Sequence, residues 1–174
     1  MPRLILTLTL LVLFLLEGTV LQLLLPDTWG LTWEAVPRFV LVGVVLIGLF
    51  LNRRESLIYG MVFGFLHDVL YNQIIGVHTL TMMVAGYFAG LALLLFHRSL
   101  AVAFVTLTLV LFGHEWLLYS LYRLFFPIDV DVQWMLRQQI LPTVGLNLLF
   151  AVLIYFPLSK IAAGVNAKKE MKLD

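Results

Sequence analysis

Six apolar runs, separated by short polar breaks, organise this chain. They cover residues 4–25, 36–51, 57–71, 76–96, 100–124 and 134–156, and each reads as a helix. The first stops at Pro26-Asp27, and a loop carrying Trp29, Trp33 and Glu34 leads to Pro37. Tryptophan favours the headgroup level of a bilayer, so this loop reads as interfacial. Asn52-Arg53-Arg54-Glu55, Asn72-Gln73, His97-Arg98 and the stretch from Pro127 to Asp131 make the later breaks. The pattern predicts an all-α membrane bundle of six transmembrane helices over residues 1–160, with a polar cytoplasmic tail over 161–174. The third run is the short one. Its fifteen residues reach only ~22 Å at 1.5 Å each, against a hydrocarbon core of ~30 Å.

Composition sets the solvent. Of 174 residues, 62% are hydrophobic and 12% charged, and the mean hydropathy is +1.03. Soluble domains average about 45–50% apolar and about 25% charged. At about 20 residues per crossing, this length accommodates about six helices and no soluble domain beside them. The first run is too long for the core of a signal peptide and lacks a small-residue cleavage site, so it reads as a retained helix. The chain has no cysteine, which excludes disulfides and thiolate chemistry.

The net charge of +1 matters only through its distribution. Six crossings place Arg3, Arg53, Arg54, Arg98, Lys160, Lys168, Lys169 and Lys172 on one side. Only Arg38, Arg123 and Arg137 fall on the other, with Asp27, Glu34, Asp129 and Asp131. The positive-inside rule makes the first side cytoplasmic, with both termini there.

Candidate chemistry is sparse. Gly60, Gly64 and Asp68 follow one another at steps of four and share a helix face, since four residues drift by only ~40°. Gly86 and Gly90 form a second pair on the next helix, which Gly76 opens. Small residues let helix backbones approach where the hydrophobic effect cannot drive association. These positions serve either the internal bundle or a partner face. Asp68 is either a buried polar anchor or a residue that reaches the headgroups. Glu17, His114 and Glu115 lie at membrane depth, where ions must be paired and turned inward. Each carboxylate can pair with a histidine or with Arg123, two turns beyond Glu115 and counted here among the buried polar residues. They read as interhelical ties, or alternatively as a proton relay or a solute site. Pro142, Gln138, Gln139 and Asn147 make the sixth helix polar and kinked. Four histidines without paired spacing argue against a metal, and no catalytic motif or phosphate loop is present. Neither a cofactor nor a nucleic acid is expected.

The stretch from Arg53 to Leu70, with its glycine-x-x-x-glycine-x-x-x-aspartate core, followed by Ile75-Gly76-Val77 and Gly86-Tyr87-Phe88, resembles the MreD family of rod-shape-determining proteins. His67 stands where that family usually has an apolar residue. The specific match covers about residues 53–96, and elsewhere the agreement is one of length, layout and the proline before the second helix.

The resemblance implies a non-enzymatic scaffold in the bacterial inner membrane. Its partners would be an MreC-like protein, the MreB cytoskeleton, a RodA-type glycosyltransferase and a class B penicillin-binding transpeptidase. It also implies similarity to the substrate-binding subunits of energy-coupling-factor transporters. The alternative function is therefore a membrane-embedded subunit that binds a small vitamin-like solute.

Overall fold

A computed structural model describes residues 2–23, 34–71, 74–96, 99–125 and 131–170. Trp29, Trp33, Arg98, Lys172 and the loop residues 126–130 lie outside the described residues, as does the side chain of Lys169. The described residues are all-helical: α1 (Pro2–Leu23), α2 (Phe39–Phe50), α3 (Arg53–Tyr71), α4 (Val77–Leu95), α5 (Leu100–Phe125), α6 (Val132–Met135) and α7 (Leu141–Glu170). A π-helical turn, Leu136–Ile140, joins α6 to α7, so the sixth predicted helix is one continuous rod. Among the described residues, three stretches are long and apolar enough to cross a membrane: Val77–Leu95, Leu100–Phe125 and Val132–Lys168.

The bundle is built around α2. Every residue from Phe39 to Leu49 is buried, and α1, α3, α4, α5 and α7 all contact it. A helix that is apolar on every side belongs in the middle. The surrounding helices reverse the soluble pattern. On α1, Leu6, Leu10, Phe14 and Glu17 face inward, whereas Leu4, Leu8, Val12 and Leu15 are exposed. On α3, Ser56, Gly60, Gly64, His67 and Asp68 are buried, whereas Val62, Phe65 and Val69 face out. Apolar side chains outward and polar ones inward is the arrangement a hydrocarbon solvent selects.

The third helix is longer than its apolar run. Asn52 accepts the backbone N–H of Glu55 through Oδ1 at 2.9 Å, a side-chain cap that recruits Arg53, Arg54 and Glu55 into the first turn. Nineteen residues then give ~28 Å, nearly a full hydrocarbon thickness. Ser56, otherwise a buried hydroxyl in a helix, donates to the Val44 carbonyl of α2 at 2.6 Å.

The closest packing is between α3 and α4, and the glycines are why. A Cβ on Gly60 would lie 2.5 Å from the Met82 carbonyl oxygen, and one on Gly64 would lie 2.6 Å from that of His78. Reciprocally, a Cβ on Gly86 would lie 2.7 Å from the Ser56 oxygen, and one on Gly90 would overlap the Arg53 backbone. The two glycine faces are used on each other, within the chain. Gly76 has a different reason: its φ of 110° is left-handed, open to glycine alone without strain.

At the far end α7 runs past residue 156 to Glu170. Leu158, Ala162 and Val165 keep one face buried, and Asn166 donates to the Phe50 carbonyl at 3.2 Å, closing the end of α2. The polar segment therefore begins as a packed helix, because its apolar residues continue at helical spacing under the lysines.

Candidate functional site

Helices that alternate in direction bring the ends of α1, α3 and α5 together with the starts of α2, α4 and α7. Nearly all the buried charge collects at this end. Helix starts there leave unsatisfied N–H groups, and in a bilayer these need protein acceptors. Glu17 supplies one: its Oε2 accepts the Val40 N–H at 3.0 Å, capping α2 from α1. Asp68 supplies four bonds to the start of α4. Its carboxylate accepts from the backbone N–H groups of Gly76, His78 and Thr79, each at 2.9 Å, and from the Thr79 hydroxyl at 2.7 Å. The negative charge also sits on the positive end of the helix dipole.

The start of α2 is held by a third device. The extended segment before it lies along α7, and alternate residues make the bonds. Pro142 has no N–H, so the Gln138 carbonyl four residues earlier loses its helical donor. The Glu34 N–H takes it at 2.7 Å. Val36 donates to Thr143 Oγ1 at 3.0 Å and accepts from Asn147 Nδ2 at 2.9 Å, and the Arg38 N–H donates to Asn147 Oδ1 at 2.7 Å. A proline and two polar side chains thus make one face of α7 a receptor for an extended strap.

Arg38 then reaches inward. Its Nε donates to Glu115 Oε1 at 2.8 Å, between side chains only 12% and 2% exposed. Its Nη1 lies 3.5 Å from His78 Nε2. Three histidines each stand 3.4 Å from a carboxylate: His67 by Glu17, His78 by Asp68 and His114 by Glu115. The His67 and His78 rings stack at 6.0 Å, and His78 and His114 meet edge-on at 6.5 Å. Among the described residues, no three histidines and carboxylates converge as metal ligands would.

Several sequence expectations find their positions here. Glu17, Asp68, His114 and Glu115 are brought into one buried network. Arg123 is not part of it. It is exposed on the last turn of α5, donating to the Tyr119 hydroxyl at 3.4 Å, and the cation paired with Glu115 is Arg38. Helical spacing had nominated Arg123, but a residue on the same helix is outcompeted by one that packing delivers from another. Arg38 was counted only for topology, and Thr79 and Thr143 were not singled out. The Thr-x-x-x-Asn spacing of 143 and 147, which puts both on one helix face, is a signal that could have marked Thr143. Arg3, Arg53 and Lys160 gather at the opposite end, where Arg3 pairs with Glu55 at 2.7 Å and Arg53 lies over the Tyr87 ring.

Two cavities adjoin the network. One of about 460 Å³ is lined by Glu34, Arg38, His78, Glu115, Tyr122 and Trp134, among others. The second, about 710 Å³, lies between α4 and α5 with mainly apolar walls, and touches His114 and Thr81.

Among the described residues the Asp68 carboxylate is the most heavily used side-chain acceptor, and its removal is a direct test of this end of the bundle. Asp68→Ala leaves four donors unanswered at a buried helix start and lowers stability by about 2–3 kcal/mol. Asp68→Asn keeps one acceptor oxygen and costs less, about 1 kcal/mol. Unfolding in detergent, followed by circular dichroism, should give that order.

An inward-facing polar network inside a lipid-facing helical bundle defines an integral membrane protein whose charges tie its own helices together. Residues 2–163 match the family described as rod shape-determining protein MreD, and the chain belongs to that family. It is similar to the rod shape-determining protein MreD of Bacillus subtilis (strain 168), with 24% identity over 136 residues, 78% of each chain. No solved structure matches it.

Proposed function

We propose that this protein acts in rod-shape determination as a non-enzymatic scaffold of the cell-elongation machinery. It resides in the bacterial inner membrane, crosses it six times and keeps both termini in the cytoplasm. An MreC-like protein is its direct partner, and through it MreB, a RodA-type glycosyltransferase and a class B penicillin-binding transpeptidase are joined. Family membership over nearly the whole chain supports the role. The observation that carries the scaffold reading is the employment of the buried carboxylates. Glu17 and Asp68 accept backbone N–H groups and Glu115 pairs with Arg38, so the groups that chemistry would recruit are engaged in holding helix ends. Arg53, Arg54, Arg98, Lys160, Lys168 and Lys169 fix the orientation.

A rod-shaped bacterium depleted of its own MreD tests this reading. Expression of this chain should restore cell width, and an MreC-like protein should co-purify with it in mild detergent. Round cells despite normal membrane insertion, with no such protein recovered, would reject the scaffold role.

A further inference from the structure

The geometry points to a second property: we propose that the cavity beside Arg38 binds a small alkylammonium group. Its volume of about 460 Å³ falls within the range of small-molecule sites, about 300–1,000 Å³. Among the described residues, its wall carries three formal charges: Glu34, Arg38 and Glu115. Arg38 and Glu115 neutralise each other at 2.8 Å, which leaves Glu34 as the unbalanced charge of the described lining. The backbone of Glu34 is anchored to Gln138 at 2.7 Å, so that carboxylate is presented from a fixed strap.

The same wall includes Tyr119, Tyr122 and Trp134, of which Tyr119 already has the Arg123 guanidinium 6.0 Å from its ring centre. A carboxylate among aromatic faces recognises an organic cation, because ring quadrupoles attract the charge while its carbon-bound hydrogens pack on the rings. An anion would oppose Glu34, and a neutral solute would leave its charge unanswered. Two sources share the chemistry: the ethanolamine headgroup of a bilayer lipid, and a free amine in solution.

The experiment uses the full-length protein. Its melting temperature is followed in detergent with free ethanolamine or tetramethylammonium. Lipid retention is followed by native mass spectrometry after reconstitution with phosphatidylethanolamine and phosphatidylglycerol together. Stabilisation by the free amines identifies a soluble ligand, and preferential retention of phosphatidylethanolamine identifies the lipid. In either case Glu34→Gln and Trp134→Ala weaken the effect by about tenfold each, the scale of a charge or a cation–π contact. Trp134 is 43% exposed, so its truncation spares the core, and each variant's own melting temperature reports that the bundle is intact. The proposal is overturned if neither amine shifts the melting temperature and phosphatidylethanolamine is not preferentially retained, a preference for phosphatidylglycerol included. It is equally overturned if both folded variants bind as the parent does.

Discussion

Replacing Arg38 with methionine should lower the stability of the bundle by about 3–5 kcal/mol, the usual cost of stranding one member of a buried ion pair. Glu115 is 2% exposed and has Arg38 as its guanidinium partner, so the substitution leaves a carboxylate without a cation at bilayer depth. The Arg38 backbone bond to Asn147 survives the change, which confines the effect to the side chain. The reverse substitution, Glu115→Gln, should also destabilise. The double variant Arg38→Met with Glu115→Gln should cost clearly less than the two single changes added together, because no lone charge remains. Denaturant unfolding in a single detergent measures all four proteins. Strict additivity would mean that the pair contributes nothing specific to this end of the bundle.

The glycine seam gives the second large effect. Gly64→Ala should cost about 3 kcal/mol, the upper part of the range for overpacking, since the added carbon meets the His78 carbonyl oxygen at 2.6 Å. That atom is backbone in α4, so relief requires the whole helix to move, and with it the donors that Asp68 collects. Gly64→Leu should give no folded protein. Gly113 is the control: no atom lies within 4 Å of the position of a Cβ there, and Gly113→Ala should be neutral or stabilising by up to about 1 kcal/mol. Because α3 and α4 use their glycines on each other, a loss of partner recovery in Gly64 variants must be read beside a folding assay. Equal stability of the Gly64→Ala and Gly113→Ala proteins would contradict the close backbone approach.

Much of this architecture was legible in the chain. Apolar runs located the helices, because in hydrocarbon nearly every position of a spanning helix must be apolar. The rare polar residues, Glu17, Asp68, His114 and Glu115, marked the inward faces for the same reason. What hydropathy missed was set by single capping bonds and by distant pairing. The α3 start lay four residues earlier because Asn52 caps it, an effect that run length cannot register. Arg38 could be counted as a charge for topology, but only the docking of its strap on α7 carries it to Glu115. Thr143 looked like one hydroxyl among many until the Val36 N–H arrived 107 residues away in sequence.

The unbroken helical stretch Val132–Lys168 holds 37 residues, which at 1.5 Å each makes a column of about 55 Å. A bilayer's oily interior is about 30 Å deep, so a column of this length, set upright, outreaches it by about 25 Å. Lys160 and Lys168 ride on this projecting part about 12 Å apart along its axis, a spacing set by helix rise. Asn166 ties the projection to the end of α2. The end of this column that carries Lys160 and Lys168 is therefore a stiff arm of defined length, tied directly to the central helix.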